Sequence, residues 1–166
     1  MYQMKFAKIS LSLILAASSF GTANAQLSPT ISAEIDALAK PCSDIAGATA
    51  GLPEDQAKTL AITALPSCYA ALKGLDAIER EKLSTMSNDD RNYLYYVGGS
   101  VIWMTAASES MKNNGMLSNS ICQLVKSAET TWGNVIIQPG SEVHNAMLTN
   151  QLRNMMLPAC IQATQN

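Results

Sequence analysis

Beyond residue 20 the chain has no phenylalanine, and over its 166 residues it has one histidine and only 14% charged side chains. Each shortage excludes something. A single His144, with no C-x-x-C pair, leaves too few ligands for the usual Cys/His zinc arrangements. The sequence contains no P-loop, no dinucleotide-binding glycine fingerprint, no EF-hand loop and no G-x-S-x-G elbow. No stretch alternates apolar and polar residues as a half-buried strand would. No basic excess exists either. Beyond residue 25, nine Lys and Arg face thirteen Asp and Glu, a net charge of −4 that argues against nucleic acid as a partner.

Long hydrophobic runs are also missing. Residues 92–108 carry no charge, but Asn92, Gly98, Gly99, Ser100, Thr105 and Ser108 interrupt the segment. Its 17 residues fall short of the ~20 apolar residues that a membrane span needs. A bundle helix buried on most sides explains it better.

The N-terminus has an export pattern. Lys5 and Lys8 precede the apolar stretch Ile9 to Ala17, and Ala23-Asn24-Ala25 supplies a small-x-small cleavage site. Residues 1–25 therefore read as a cleaved signal peptide, and residues 26–166 as one domain in the periplasm or outside the cell.

Within that domain the apolar residues recur at helical spacing, so the expected fold is an all-α bundle of five to seven helices arranged as antiparallel hairpins. Ser28-Pro29 opens the first helix. Pro41 should end or kink it, leaving a short helix over 42–50. Pro53-Glu54-Asp55 starts the next helix, which Pro66 should break and Gly74 punctuate. Ser87, with Asp89 and Asp90 behind it, caps the strongest pattern: Leu94, Val97, Val101, Met104, Ser108 and Met111. Asn113-Asn114-Gly115 supplies left-handed turn residues. Ser118 or Ser120 caps a helix bearing Ile121, Val125, Ala128, Trp132 and Ile136. Pro139-Gly140 turns the chain, and Ser141 opens a last helix.

The four cysteines fit this plan. Cys42 and Cys68 straddle Gly51-Leu52-Pro53 almost symmetrically, and Cys122 and Cys160 straddle Pro139-Gly140. Two helices leaving a turn climb at the same rise per residue, so positions equidistant from it meet at one height. The expected pairs are 42–68 and 122–160, each clamping the open end of a hairpin. In an oxidising compartment such bonds persist.

Catalytic constellations are weak. Ser141, Glu142 and His144 hold the residue types of a triad, but within one helical turn they project apart and suit capping instead. The acidic pairs Glu54-Asp55 and Asp89-Asp90 suit first-turn dipole positions. Met111, Met116, Met147, Met155 and Met156 could suggest copper(I), yet methionines at helical spacing more often fill core volume, here in place of phenylalanine. No metal or cofactor is expected.

Binding is then the favoured role, with another protein as the partner. An inhibitor or immunity protein against a toxin or cell-wall hydrolase is one concrete form. The weakly charged second half, with only three acids and three bases over residues 92–166, is the expected contact face. Tyr95, Tyr96, Trp103, His144 and Arg153 are its candidate contact residues. The alternative is a small-ligand carrier with a Met- and Trp-lined pocket inside the bundle.

Overall fold

The computed structural model describes residues 27–132, residue 146 and residues 149–163. Residues 1–25, expected to be an export signal, and the expected Pro139-Gly140 turn and Ser141–His144 helix start lie outside the described residues. Within them the chain forms five helices and no strand. These are α1 (Pro29–Gly47), α2 (Glu54–Lys82), α3 (Asn88–Lys112), α4 (Asn119–Trp132) and α5 (Leu157–Ala163), the last entered through a π turn at Leu152–Met156.

Two prolines that should have broken helices do not. Pro41 lies inside α1 and Pro66 inside α2. Each lacks the N–H that would bond the carbonyl four residues back, a cost of about 3 kcal/mol in a helix interior. Both prolines are exposed, so the defect sits on the solvent side while the opposite face packs. Ile35, Ala39, Cys42 and Ala46 of α1 are buried against Ala64, Cys68, Ala71 and Leu75 of α2 in one core cluster. That burial keeps both helices continuous. Gly74 likewise does not punctuate α2: a Cβ there would stand 2.6 Å from Leu38 Cδ2. Its missing side chain permits a close helix approach.

The register of this hairpin is marked along its length. Cys42 bonds Cys68, Leu38 lies over Gly74, and Glu34 pairs with Lys82. Continuity of the helices also moves the first staple. Cys42 is five residues from the end of α1, so the bond sits near the closed end of the hairpin, not the open end.

α3 occupies the centre, against α1, α2, α4 and the π turn. Every residue from Trp103 to Ser110 is buried. Its start is fixed by Ser87, whose hydroxyl accepts the Asp90 N–H at 3.1 Å and donates to Asp90 Oδ2 at 2.8 Å. The other oxygen of Asp90 accepts the backbone N–H of Ser28 at 2.8 Å. Ser28 stands at the N-cap of α1 but makes no side-chain cap bond; its backbone is what is held. One buried carboxylate thus joins the starts of two helices.

The second half repeats the hairpin logic. Cys122 bonds Cys160, and Glu129 pairs with Arg153. Seven residues forward on α4 match seven back on its partner, which marks an antiparallel register. This staple joins the start of α4 to α5, the ends remote from the connecting segment. The π turn was not legible in the sequence. It lies just before Pro158, which has no N–H for the carbonyl of Asn154, and a wider turn relieves the ring.

Asp90→Ala should lower urea-unfolding stability by about 1–2 kcal/mol, since it removes the partner of the Ser28 N–H and of the Ser87 hydroxyl, with Asp90→Asn costing roughly half. Replacing either cystine by paired alanines should cost about 3–4 kcal/mol in the loop-closure picture. A change under ~1 kcal/mol in either experiment would contradict the burial and bonding described.

Candidate functional site

Exposed apolar and bonded polar side chains meet where α3 ends and α4 begins, against the middle of α2. Register also frees the start of α2 from its α1 partner. From Cys68 back to Glu54 α2 runs fourteen residues, while from Cys42 to the end of α1 is five. At 1.5 Å per residue α2 overhangs α1 by about 13 Å. Glu54, Asp55, Gln56, Lys58 and Thr59 on the overhang are exposed.

The α3–α4 turn is built from residues that tolerate left-handed backbone: Asn114 has φ 53° and Gly115 φ 94°. Gly115 N–H donates to the Ser110 carbonyl at 2.7 Å. The chain then passes through Met116, exposed, and Leu117, buried, to Ser118, whose hydroxyl accepts the Ile121 N–H at 3.4 Å to cap α4.

Glu109 organises this turn. It is only 4% exposed. Its Oε1 accepts the Ser118 N–H at 2.8 Å and its Oε2 accepts the Tyr69 hydroxyl at 3.0 Å. A buried carboxylate left bare would be costly; here each oxygen has a donor, one from α4's cap and one from α2. Tyr69 itself is 42% exposed. Burial of its hydroxyl, then the hydrogen bond and negative charge of Glu109, push its pKa up to about 12.

Two shallow depressions are open to solvent, one at the α3–α4 turn and one on the overhang. One of about 470 Å³ lies between Glu109, Lys112 and the segment Met116–Ser118. The other, about 460 Å³, lies on the overhang among Leu52, Gln56, Leu60 and Thr63. Leu52, Tyr69 and Met116 are three of the four large apolar or aromatic side chains left exposed among the described residues.

The contact residues expected from sequence do not form one patch. Tyr96 and Trp103 are buried in the core cluster, so their rings are packing groups and are withdrawn from the surface. Trp103 Nε1 is buried with no hydrogen-bond partner among the described residues. Tyr95 is half-buried, with its hydroxyl donating to Glu79 Oε1 at 3.3 Å. Arg153 is exposed but donates to Glu129 at 2.8 Å across the second hairpin. His144 lies outside the described residues.

Methionine also divides. Met86, Met104 and Met156 fill core volume as expected, whereas Met116 and Met155 are exposed. No group of three or more His, Cys, Asp or Glu among the described residues could hold a metal, and no described helix is long and apolar enough to cross a membrane.

Sequence reasoning passed over Tyr69 and Glu109 and weighed Met116 only as a soft metal ligand. One signal pointed to each of the first two. Tyr69 follows a disulfide cysteine directly, and adjacent helical residues point about 100° apart, so a buried Cys68 turns Tyr69 outward. Glu109 is the first charged residue after Arg91, at the end of the uncharged run 92–108. Compared with protein-family models, with curated proteins and with solved structures, the chain matches none.

All four tyrosines of the described chain are held in the phenol form. Burial is the first cause at each; carboxylates add to it at Tyr69 (Glu109), Tyr93 (Asp36) and Tyr95 (Glu79). A raised folded-state pKa favours the fold below the unfolded value near 10, and that contribution disappears as pH climbs above it. Phenolate absorbance of the chain beginning at Gln26 should therefore rise well above pH 10 when folded and near pH 10 in urea, with stability falling between about pH 10 and 12. Identical native and denatured titrations would remove this account.

Proposed function

We propose that this chain is an exported protein-binding domain and that the bundle end bearing Tyr69 and Met116 is its docking end. One observation carries the reading: Tyr69 and Met116 stay exposed where the buried Glu109 ties α2 to the start of α4 and Cys68 and Cys122 fix the flanking helices. Partly exposed Tyr and Met side chains give large contact area, and a backbone ordered beforehand lowers the entropic cost of association.

The partner has a stated chemistry. Around Met116 charge is sparse: Lys112 is the one charged side chain lining the depression besides Glu109, which is already satisfied internally, so the matching surface is apolar and weakly charged. The export pattern of residues 1–25 and the disulfides support a partner met in an oxidising space. Within that class we favour an inhibitor or immunity role against a toxin or cell-wall hydrolase. An enclosed apolar cavity would have supported a small-ligand carrier. The two depressions described are open surface features and give it no support.

A photo-crosslinker at position 116 should capture a partner that the same group at Arg80, on the last turns of α2, does not. With that partner purified, Tyr69→Ala and Met116→Ser should each weaken binding by roughly tenfold or more. Affinity should change little between low and moderate salt. Unaltered binding by both variants, with the fold intact, would end the proposal.

A further inference from the structure

Met155 and Met156 are neighbours in sequence with opposite fates. Met155 is 38% exposed and Met156 4%. Their separation follows from the π turn that contains both, whose buried side holds Leu152 and Met156. The α3–α4 turn shows the same contrast: Met116 is 43% exposed, while Leu117 beside it is 2%. Met86 and Met104 are 4% and 5% exposed. The described methionines therefore include an open pair and a closed set. Met111 is half-buried between them, and Met147 lies outside the described residues.

Methionine sulfur is a soft nucleophile whose reaction with oxidants depends on access. We propose that, among the described methionines, Met116 and Met155 are the modification sites for peroxide-class oxidants. The thioether sulfur attacks one peroxide oxygen. The O–O bond breaks, that oxygen forms the S–O bond of the sulfoxide, and the second oxygen leaves as water after taking up the remaining proton. Sulfur loses two electrons and the peroxide gains them. A sulfoxide reductase reverses the change.

The two sites differ in consequence. At Met155 the new polar oxygen points to solvent from the C-terminal segment. At Met116 it enters the depression beside Glu109 and Lys112 and makes an apolar surface polar. An effect on docking rests on the function proposed above; the oxidation pattern does not.

The test uses the chain from Gln26 with both disulfides intact, treated with hydrogen peroxide, quenched over time and mapped by peptide mass spectrometry. Met116 and Met155 should oxidise at least roughly tenfold faster than Met86, Met104 and Met156. In urea that difference should vanish, because only the fold distinguishes the sulfurs. Met155→Leu should leave Met156 slow. If Met156 keeps pace with Met155 in the folded chain, or takes over its rate in the variant, the proposal is overturned. No partner is needed for any readout, so failure here is distinct from failure of the docking proposal.

Discussion

Two buried carboxylates at opposite ends of one helix hold the bundle together as a single object. α3 carries no charge of its own from Asn92 to Ser108, and there Tyr93 and Tyr95 reach the carboxylates of Asp36 on α1 and Glu79 on α2 from partly exposed positions. The buried carboxylates are Asp90 at its start and Glu109 near its end. Each is 4% exposed, and each receives two donors: Ser28 at the start of α1 and the helix's own cap Ser87 at one end, Tyr69 of α2 and Ser118 at the start of α4 at the other. Apolar contact tolerates sliding far better than a buried, doubly bonded carboxylate does. Without these two anchors the height of α3 would rest on packing and on the tyrosine bonds to α1 and α2, with no buried polar bond to α4.

The disulfides complement that arrangement. Each joins helices that are adjacent in sequence within its half, and no disulfide bridges the halves. Coupling between the halves falls to α3, through the core cluster and through Glu109, which bonds to both α2 and the start of α4. The covalent links define the two hairpins; the non-covalent centre unites them. The sulfurs are buried, so reductants meet them only when the bundle opens.

Much of this was legible in the residues and some was not. Helical class, both cystine pairs, the Ser87 cap and the Asn114-Gly115 turn follow from periodicity, spacing and backbone preference. Local rules failed at Pro41, Pro66 and Gly74, and tertiary packing is the reason each time. The prolines face solvent, where water can meet the freed carbonyls, and the glycine admits Leu38. Periodicity marked Tyr96 and Trp103 as an apolar stripe but could not say that a helix with neighbours on several sides would enclose them. It also could not show the overhang of α2. That depends on the difference in length between paired helices, set only once their register is known.

The positions of the cystines also determine how the folded chain would respond to tension. A pull applied at Ser28 and Ala163 would pass from Cys42 straight to Cys68 and from Cys122 straight to Cys160. The intervening spans, 26 and 38 residues in sequence, would bear no load. At ~3.4 Å of contour per residue, about 90 Å and 130 Å of chain are thereby withheld from extension. Only the run between Cys68 and Cys122, with the two short tails, could be drawn out. That run contains all of α3, so stretching would dismantle the centre of the molecule while both loops remained closed.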